Sequence, residues 1–253
     1  MKITFLGTGT SQGIPVIACD CAVCRSTDLR DKRLRTSVWI QVDGKSFVID
    51  TGPDFRQQML RANVRDLDAA IFTHQHKDHT AGLDDIRAFN HRQQIDIPLY
   101  GREEVLDQIK IEFAYAFNEY RYPGVPHFEL HTIENKPFDI EGVTFIPIEV
   151  MHYKLRVYGY RIKDFTYITD TSYISEEEQE KIKGSKILVL DTLQKEPHLS
   201  HLTLSQSLAL IEKLEVPQAY LTHMSHRLGK HADVEKELPA HVRLAYDGLV
   251  VEL

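Results

Sequence analysis

The sequence is poor in sulfur and tryptophan and has no long apolar run, and each shortage excludes something. Cysteine occurs three times in 253 residues, and all three lie between Cys19 and Cys24. Three thiols that close together cannot form the framework of a disulfide-stapled secreted domain. No stretch approaches the roughly 20 apolar residues that span a bilayer, so no membrane partner is expected. The apolar run from Ile3 to Leu6 is too short for the core of a signal peptide. A cytoplasmic protein is therefore expected, in a compartment where clustered thiols stay reduced and more often bind metal than each other. An excess of positive charge is missing too. Lys and Arg number 30 against 37 Asp and Glu, a formal net charge of −7. That balance argues against a broad nucleic-acid surface, though not against one small anion pocket. No linker, repeat or low-complexity tract interrupts the chain, so residues 1–253 are expected to form one domain.

What is present is an alternation of short β-rich and helical stretches. "KITFLG" reads as a first strand. "TSVWIQV" and "SFVID" flank "DGK" and read as a hairpin, because Asp-Gly is a strong turn signal. "DFRQQMLRA" looks helical. "LDAAIFT" reads as a strand that delivers "HQHKDHTAG" at its C-terminal end, and "IPLYG" is a strand followed by a helix from about Arg102. In the second half, "GVTFIPIEV" runs toward His152, "FTYIT" ends at Asp170 and "QAYLTH" ends at His223. "SEEEQEKI" opens with a Ser cap and acidic residues suited to a helix start. "TLSQSLALIEKL" is amphipathic, and "LVVEL" reads as a last strand. Several strands thus end in a side chain able to bind metal, on loops that a sheet would hold rigid.

"HQHKDH" concentrates the chemistry. The strand period of two puts His74 and His76 on the same side as the strand runs out, and the following turn can swing Asp78 and His79 to a neighbouring point. Two-metal hydrolases need that kind of spacing, with ions roughly 3.5–4 Å apart. Imidazole and carboxylate ligands suit zinc, manganese or iron. The opening "GTGTSQG" loosely resembles a dinucleotide loop, but its spacing is off by one and Pro15 and cysteines follow instead of a helix.

"HQHKDH" followed by "TAGLDDI" resembles the signature of the metallo-β-lactamase superfamily. The resemblance implies an α/β fold, a four-layer αββα sandwich of two mixed β-sheets with helices on the outer faces. It implies one metal held by His74, His76, His152 and Asp170, and a second held by Asp78, His79, His223 and the same Asp170. Asp50 in "FVIDTGPD" would orient a ligand histidine. The fold often dimerises, so a homodimer is an expectation. An aspartate at the bridging position counts against lactamase activity, because a cysteine often stands there in the β-lactam-cleaving members.

Two further motifs resemble one branch. His201 in "SHLTLSQSLAL" matches the non-ligand histidine of the family's phosphodiesterases, which would protonate a leaving oxygen. "LGTGTSQGIPVIACDCAVC" is similar to the start of the phosphoribosyl cyclic phosphate phosphodiesterase branch, where three cysteines and a distant histidine bind a structural zinc. Here those ligands would be Cys19, Cys21, Cys24 and His226 in "LTHMSH". The resemblance therefore implies two divalent active-site ions (zinc or manganese, or iron) and one structural zinc. His201 and Asp78 would be the catalytic groups, acting on a small, cyclic phosphate ester as the partner. Alternatives within the superfamily are a ribonuclease Z-like enzyme acting on RNA ends, a thioester or lactone hydrolase, and a non-enzymatic protein of a quinone-cofactor pathway. Phe113 to Leu130 has no counterpart in the resemblance. Its Phe113, Tyr115, Phe117, Tyr120, Tyr122 and Phe128 read either as an aromatic lid over the metals or as a small satellite core.

Overall fold

Two β-sheets meet face to face, and helices cover both outer surfaces. The computed structural model describes residues 1–118 and 122–253, so Tyr120 lies outside the described residues. The first sheet opens with β1 (Lys2–Gly7), β2 (Ser37–Val42) and β3 (Lys45–Ile49), and continues through β4 (Ala69–Ile71), β5 (Ile97–Gly101) and β6 (Phe128–Thr132). Its first pairings are antiparallel, and β3 to β6 run parallel. The turn joining β2 to β3 places Asp43 and Gly44 at φ 51° and 78°. Asp-Gly favours this doubly left-handed turn because it matches the twist of a two-residue hairpin.

The second sheet repeats the plan. It contains β7 (Phe138–Ile140), β8 (Val143–His152), β9 (Leu155–Ile162), β10 (Phe165–Ile168), β11 (Tyr173–Ile174), β12 (Ile187–Asp191), β13 (Gln218–Thr222) and β14 (Val242–Leu244). β8, β9 and β10 pair antiparallel, and β10, β12, β13 and β14 are parallel. The last strand, β15 (Val250–Glu252), returns to pair with β1.

Alternation along the strands builds the layers. Inward residues such as Phe5, Ile40, Phe47, Phe145, Tyr160, Phe165 and Tyr167 form one cluster between the sheets. Each such aromatic contributes about 1.5–3 kcal/mol by leaving water. The opposite face of the first sheet buries Leu6, Val48 and Leu99 against Phe55, Phe89 and Ile109 of the helices Phe55–Ala62, Arg87–Gln93 and Glu103–Glu112. The outer face of the second sheet does the same with Ile182, Leu204 and Ile211 of Glu176–Ile182 and Leu204–Lys213. The result is the expected four-layer sandwich. In both sheets the parallel strands end on the same rim, and that rim carries the histidines and aspartates.

Three details depart from the sequence reading. β4 stops at Ile71, so the period-two argument does not extend to His74 and His76. After Ile71 the backbone leaves the ladder, and Thr73 N–H donates to the Asp50 carboxylate at 2.9 Å. The aromatic segment is divided. Phe113, Phe117 and Phe128 pack into the core under the first sheet, while Tyr115 and Tyr122 are exposed. Finally, β6, β7, β11 and β14 have no counterpart in the sequence reading: Glu129 and His131 interrupt the apolar pattern of the first, and the others are only two or three residues long.

Close approach explains two glycines. A Cβ on Gly7 would sit 1.9 Å from the Arg35 carbonyl oxygen, so the opening loop serves backbone packing. A Cβ on Gly52 would sit 2.1 Å from the Asp78 carbonyl oxygen, so the β3 exit can lie against the ligand turn only because it is bare there.

The chain ends meet around a buried charge. Arg33 donates to Thr8 Oγ1 at 2.7 Å, to the Ala245 carbonyl at 2.6 Å and to His231 Nδ1 at 3.1 Å. Burial, with Arg33 beside it, lowers the His231 pKa to about 4 from the ordinary 6.5. As pH falls, the unfolded chain protonates this histidine first and so binds more protons between those values. Stability should therefore decline from about pH 6.5 toward pH 4. Denaturant unfolding across that window checks this, and His231→Gln should flatten the part of the slope due to this residue.

Candidate metal centre

The rim of the sandwich brings seven metal-competent side chains together. His74 and His76 follow β4, His152 ends β8, Asp170 follows β10 and His223 follows β13. Asp78 and His79 lie in the short helix Lys77–Thr80. Asp50, Asp170 and His223 take left-handed backbone conformations, with φ of 65°, 52° and 59°. Non-glycine residues seldom adopt that geometry, which costs of order 1–3 kcal/mol and concentrates at functional sites. It turns each chain sharply off its strand and directs the side chain across the rim.

The ligating atoms of His74, His76 and His152 lie within 4.8 Å of one another, as do those of Asp78, His79, Asp170 and His223. The His74 Nε2 and His76 Nδ1 atoms are 3.0 Å apart. Asp170 spans the second group, with Oδ2 3.2 Å from His79 Nε2 and Oδ1 3.2 Å from His223 Nε2. Thr169 Oγ1 donates to Asp170 at 2.6 Å and steadies it.

An outer layer fixes the rings. His79 Nδ1–H donates to Asp50 Oδ2 at 2.7 Å, and Thr73 Oγ1–H donates to the same oxygen at 2.8 Å. Because the Thr73 proton is committed to Asp50, its oxygen accepts from His74 Nδ1 at 3.0 Å. Asp50 thus orients one histidine directly and a second through a hydroxyl. His152 Nδ1–H donates to the Ser200 carbonyl at 2.8 Å, leaving its Nε2 for the centre.

The second sheet supplies a counterpart that sequence reasoning missed, Asp191. Its Oδ1 lies 3.1 Å from His201 Nδ1 and 3.4 Å from His223 Nδ1, and its Oδ2 accepts from Leu202 N–H at 3.1 Å. The sequence did carry a signal. Asp50, Asp170 and Asp191 each follow an apolar strand run and precede a threonine, in "VIDTG", "ITDTS" and "VLDTL". His201 stacks on His223 with ring centroids 4.8 Å apart, and a ligating atom of His201 lies within 4.8 Å of ones from His152 and Asp170. His198 lies outside these groups, 5.2 Å from the His201 ring.

The electrostatics divide the cluster. Burial and the neighbouring His79 push the His74 pKa well below the usual histidine value, and burial lowers His152 as well. Burial would do the same to His79 and His223, but there the carboxylates prevail. Asp170, Asp78 and Asp50 hold His79 well above the usual value, and Asp170 with Asp191 raises His223 to about 10. Burial likewise opposes ionising Asp170 and Asp78, yet His223 and His79 hold the Asp170 carboxyl well below the carboxylate range, and His79 holds that of Asp78 there too. Asp50 is raised, because burial outweighs its partners.

The residues fit divalent ions on one observation in particular. His79 Nε2 and both ring nitrogens of His223 are buried without a properly directed hydrogen bond among the described residues. Buried polar atoms are seldom left so, and here the two Nε2 atoms converge on carboxylate oxygens instead. Imidazole nitrogens around carboxylates form a donor set for a divalent cation, which would replace the protons those rings hold in its absence.

A separate cluster lies beside it. Cys19, Cys21 and Cys24 place Sγ atoms 3.3, 3.5 and 3.5 Å from His226 Nδ1. The Cys24 backbone N–H donates to Cys21 Sγ and lowers its pKa to about 6, whereas burial raises Cys24 to about 11. Thr10 N–H donates to the Met224 carbonyl and Met224 N–H to the Thr8 carbonyl, at 3.1 and 3.0 Å. The N-terminal loop is therefore laced to the segment between His223 and His226. Three thiols and an imidazole offer a closed tetrahedral set of the structural zinc kind.

Residues 45–224 match the β-lactamase superfamily domain. A protein named octanoyltransferase from Porphyromonas gingivalis is 39% identical over 252 residues, 98% of this chain and 51% of that protein. The chain thus spans about half the length of that curated relative. A solved structure described as a new diphosphatase from the PhnP family is 41% identical, with a TM-score of 0.93 over 100% of this chain and 97% of the other. Zinc-bound PqqB from Methylobacterium extorquens shares the fold at 18% identity, with a TM-score of 0.81 and full coverage of both chains. Among the described residues, no helix is long and apolar enough to cross a membrane.

Proposed function

The chain belongs to the metallo-β-lactamase superfamily of hydrolases, and on that premise we propose that it is a two-metal phosphodiesterase acting on a small, cyclic phosphate ester. His74, His76, His152 and Asp170 would hold one ion, and Asp78, His79, His223 and Asp170 the other. Zinc, manganese and iron all suit these ligands. Cys19, Cys21, Cys24 and His226 would hold a structural zinc. When bound, two divalent cations supply Lewis acidity, activating water and polarising the phosphoryl oxygens.

The observation that carries the proposal is the single Asp170 carboxylate between the two groups, which reaches His79 and His223 of one and has an oxygen within 4.8 Å of a ligating atom of His152 from the other. Two carboxylates, Asp78 and Asp170, balance only half the charge of two divalent ions. The direct ligands alone would thus leave positive charge facing the pocket, with Asp50 and Asp191 one layer behind, which favours an anionic phosphodiester over a neutral amide or ester. The relative described as a diphosphatase supports chemistry at phosphorus.

The chain's own part is to orient and to move a proton. Asp191 accepts from His201 Nδ1–H, which directs His201 Nε2 toward the site, where it would protonate the departing alkoxide. His201→Ala should lower kcat by about 10²–10⁴-fold with metal content unchanged. Asp191→Asn should lower activity by roughly 10–100-fold through ring orientation. Rate assays paired with elemental analysis check both.

The octanoyl transfer named for the curated relative belongs to a protein about twice this length. Here all three cysteines sit in one cluster with His226, which leaves none as a free acyl acceptor. RNA processing is disfavoured by the net charge of −7, since long polyanions need a basic exosite. A panel of cyclic and linear phosphodiesters, precursor tRNA, a thioester and a lactone separates these readings. Turnover confined to the phosphodiesters is expected, and turnover of only an acyl substrate overturns the proposal.

A further inference from the structure

A groove of about 330 Å³ runs between the helices Phe55–Ala62 and Arg87–Gln93, on the outer face of the first sheet, and no metal ligand lines it. The two helices lie side by side in the same direction. A Cβ on Gly82 would sit 2.7 Å from Phe55 Cβ, so their starts adjoin. Arg92 Nε donates to the Arg65 carbonyl at 2.9 Å, so their ends adjoin as well. Residues three and four apart on each helix then face the same cleft. Its floor is apolar, with Phe55, Met59, Val64 and Phe89 at most 9% exposed, and Leu60 stands 66% exposed at its edge.

Charge is confined to the two ends. At the start, Arg56 and Asp85 offset each other. At the other end, Arg65 and Arg92 face one carboxylate, Asp66, which takes Arg92 at 3.2 Å. Arg65 has no carboxylate within ion-pair distance among the described residues, so one guanidinium is left over in a protein of net charge −7. The loop that carries it is held firmly. Gln93 accepts from Leu67 N–H at 2.8 Å and donates to the Leu67 carbonyl at 3.1 Å. Asn63 and Arg65 also line the largest cavity, about 590 Å³ around Met1 and Trp39, so the charged end opens toward water.

We propose that this groove binds an aliphatic monocarboxylate, with its tail along Met59, Leu60 and Phe89 and its carboxylate on Arg65. The volume lies at the lower end of the roughly 300–1,000 Å³ of small-molecule sites, which share an apolar lining and a few polar groups. A helix of eight residues is only about 12 Å long, and a stable protein interface needs roughly 800 Å² from each partner. Two such short helices suit a single chain of carbons better than a partner protein. The surplus guanidinium matches one carboxylate through two parallel hydrogen bonds. Asp85 at the far end disfavours a second acidic group. None of this depends on the reaction at the metals.

Calorimetry on the native protein with hexanoate, octanoate and decanoate, each below its micelle-forming concentration, tests the groove. Each added methylene should tighten binding about two- to fourfold, and acetate should not bind. Arg65→Gln should weaken decanoate binding about tenfold while leaving 1-octanol within twofold. Ala88→Asp should abolish decanoate binding, because it sets a charge on the apolar path. Both positions are exposed, so an unchanged melting temperature is expected for each variant. No decanoate binding by the native protein overturns the proposal, as does an affinity independent of chain length. Equal losses of acid and alcohol in Arg65→Gln overturn the placement of the carboxylate. Sedimentation in which Ala88→Asp splits a native dimer also overturns the proposal, since a second copy would then fill the groove.

Discussion

Asp170→Asn should empty the active-site centre and abolish hydrolysis while leaving the fold intact. The asparagine keeps the volume but loses the charge that lies between His79 and His223 on one side and His152 on the other. Losing an outer partner of a metal ligand costs roughly 10–100-fold, and losing a ligand shared by two ions should cost more, above about 10³-fold in rate. Elemental analysis should find the zinc of the cysteine cluster still present, because Asp170 takes no part in it. A variant with full metal content and native turnover would show that Asp170 is not the bridge.

Cys21→Ser should act in the opposite sense, on the fold first and the chemistry second. Structural zinc in small sites contributes an apparent 10–16 kcal/mol or roughly that order. Even a loss of about 3 kcal/mol would lower the melting temperature by roughly 6–12 °C in a chain of this size. The cluster anchors the loop whose Thr8 and Thr10 pair with Met224, one residue from His223. Activity should therefore decline along with stability, although Cys21 touches no reacting group. Calorimetric melting with zinc analysis checks this, and native stability with a full zinc count would remove the structural role.

The local part of this site is readable in one dimension. "HQHKDH" places four donors in six residues, and "ACDCAVC" announces a metal cluster. Pairing that cluster with His226 rests on resemblance, since nothing local joins positions 24 and 226. The support around the donors was less legible, because it depends on the fold. Asp191 acts only because β12 lies beside β13, which carries His223, and near the loop with His201. His74 is oriented through Thr73 and Asp50 and meets His76 at 3.0 Å beyond the end of the strand, rather than through strand pleating. The aromatic segment stays open between lid and core in one dimension for a similar reason. Whether Phe113 covers a site or fills a core is decided by the helix Glu103–Glu112 packing on the first sheet, which no local pattern reports.

The most direct test is a metal titration of hydrolysis. The protein, retaining the ion of its cysteine cluster, is assayed against a cyclic phosphodiester as zinc or manganese is added in fractions of an equivalent. A two-metal centre predicts activity that rises until two further equivalents are bound and then levels off. Saturation after one equivalent would contradict the bridged pair, and no phosphodiester turnover at any loading would contradict the proposed function itself.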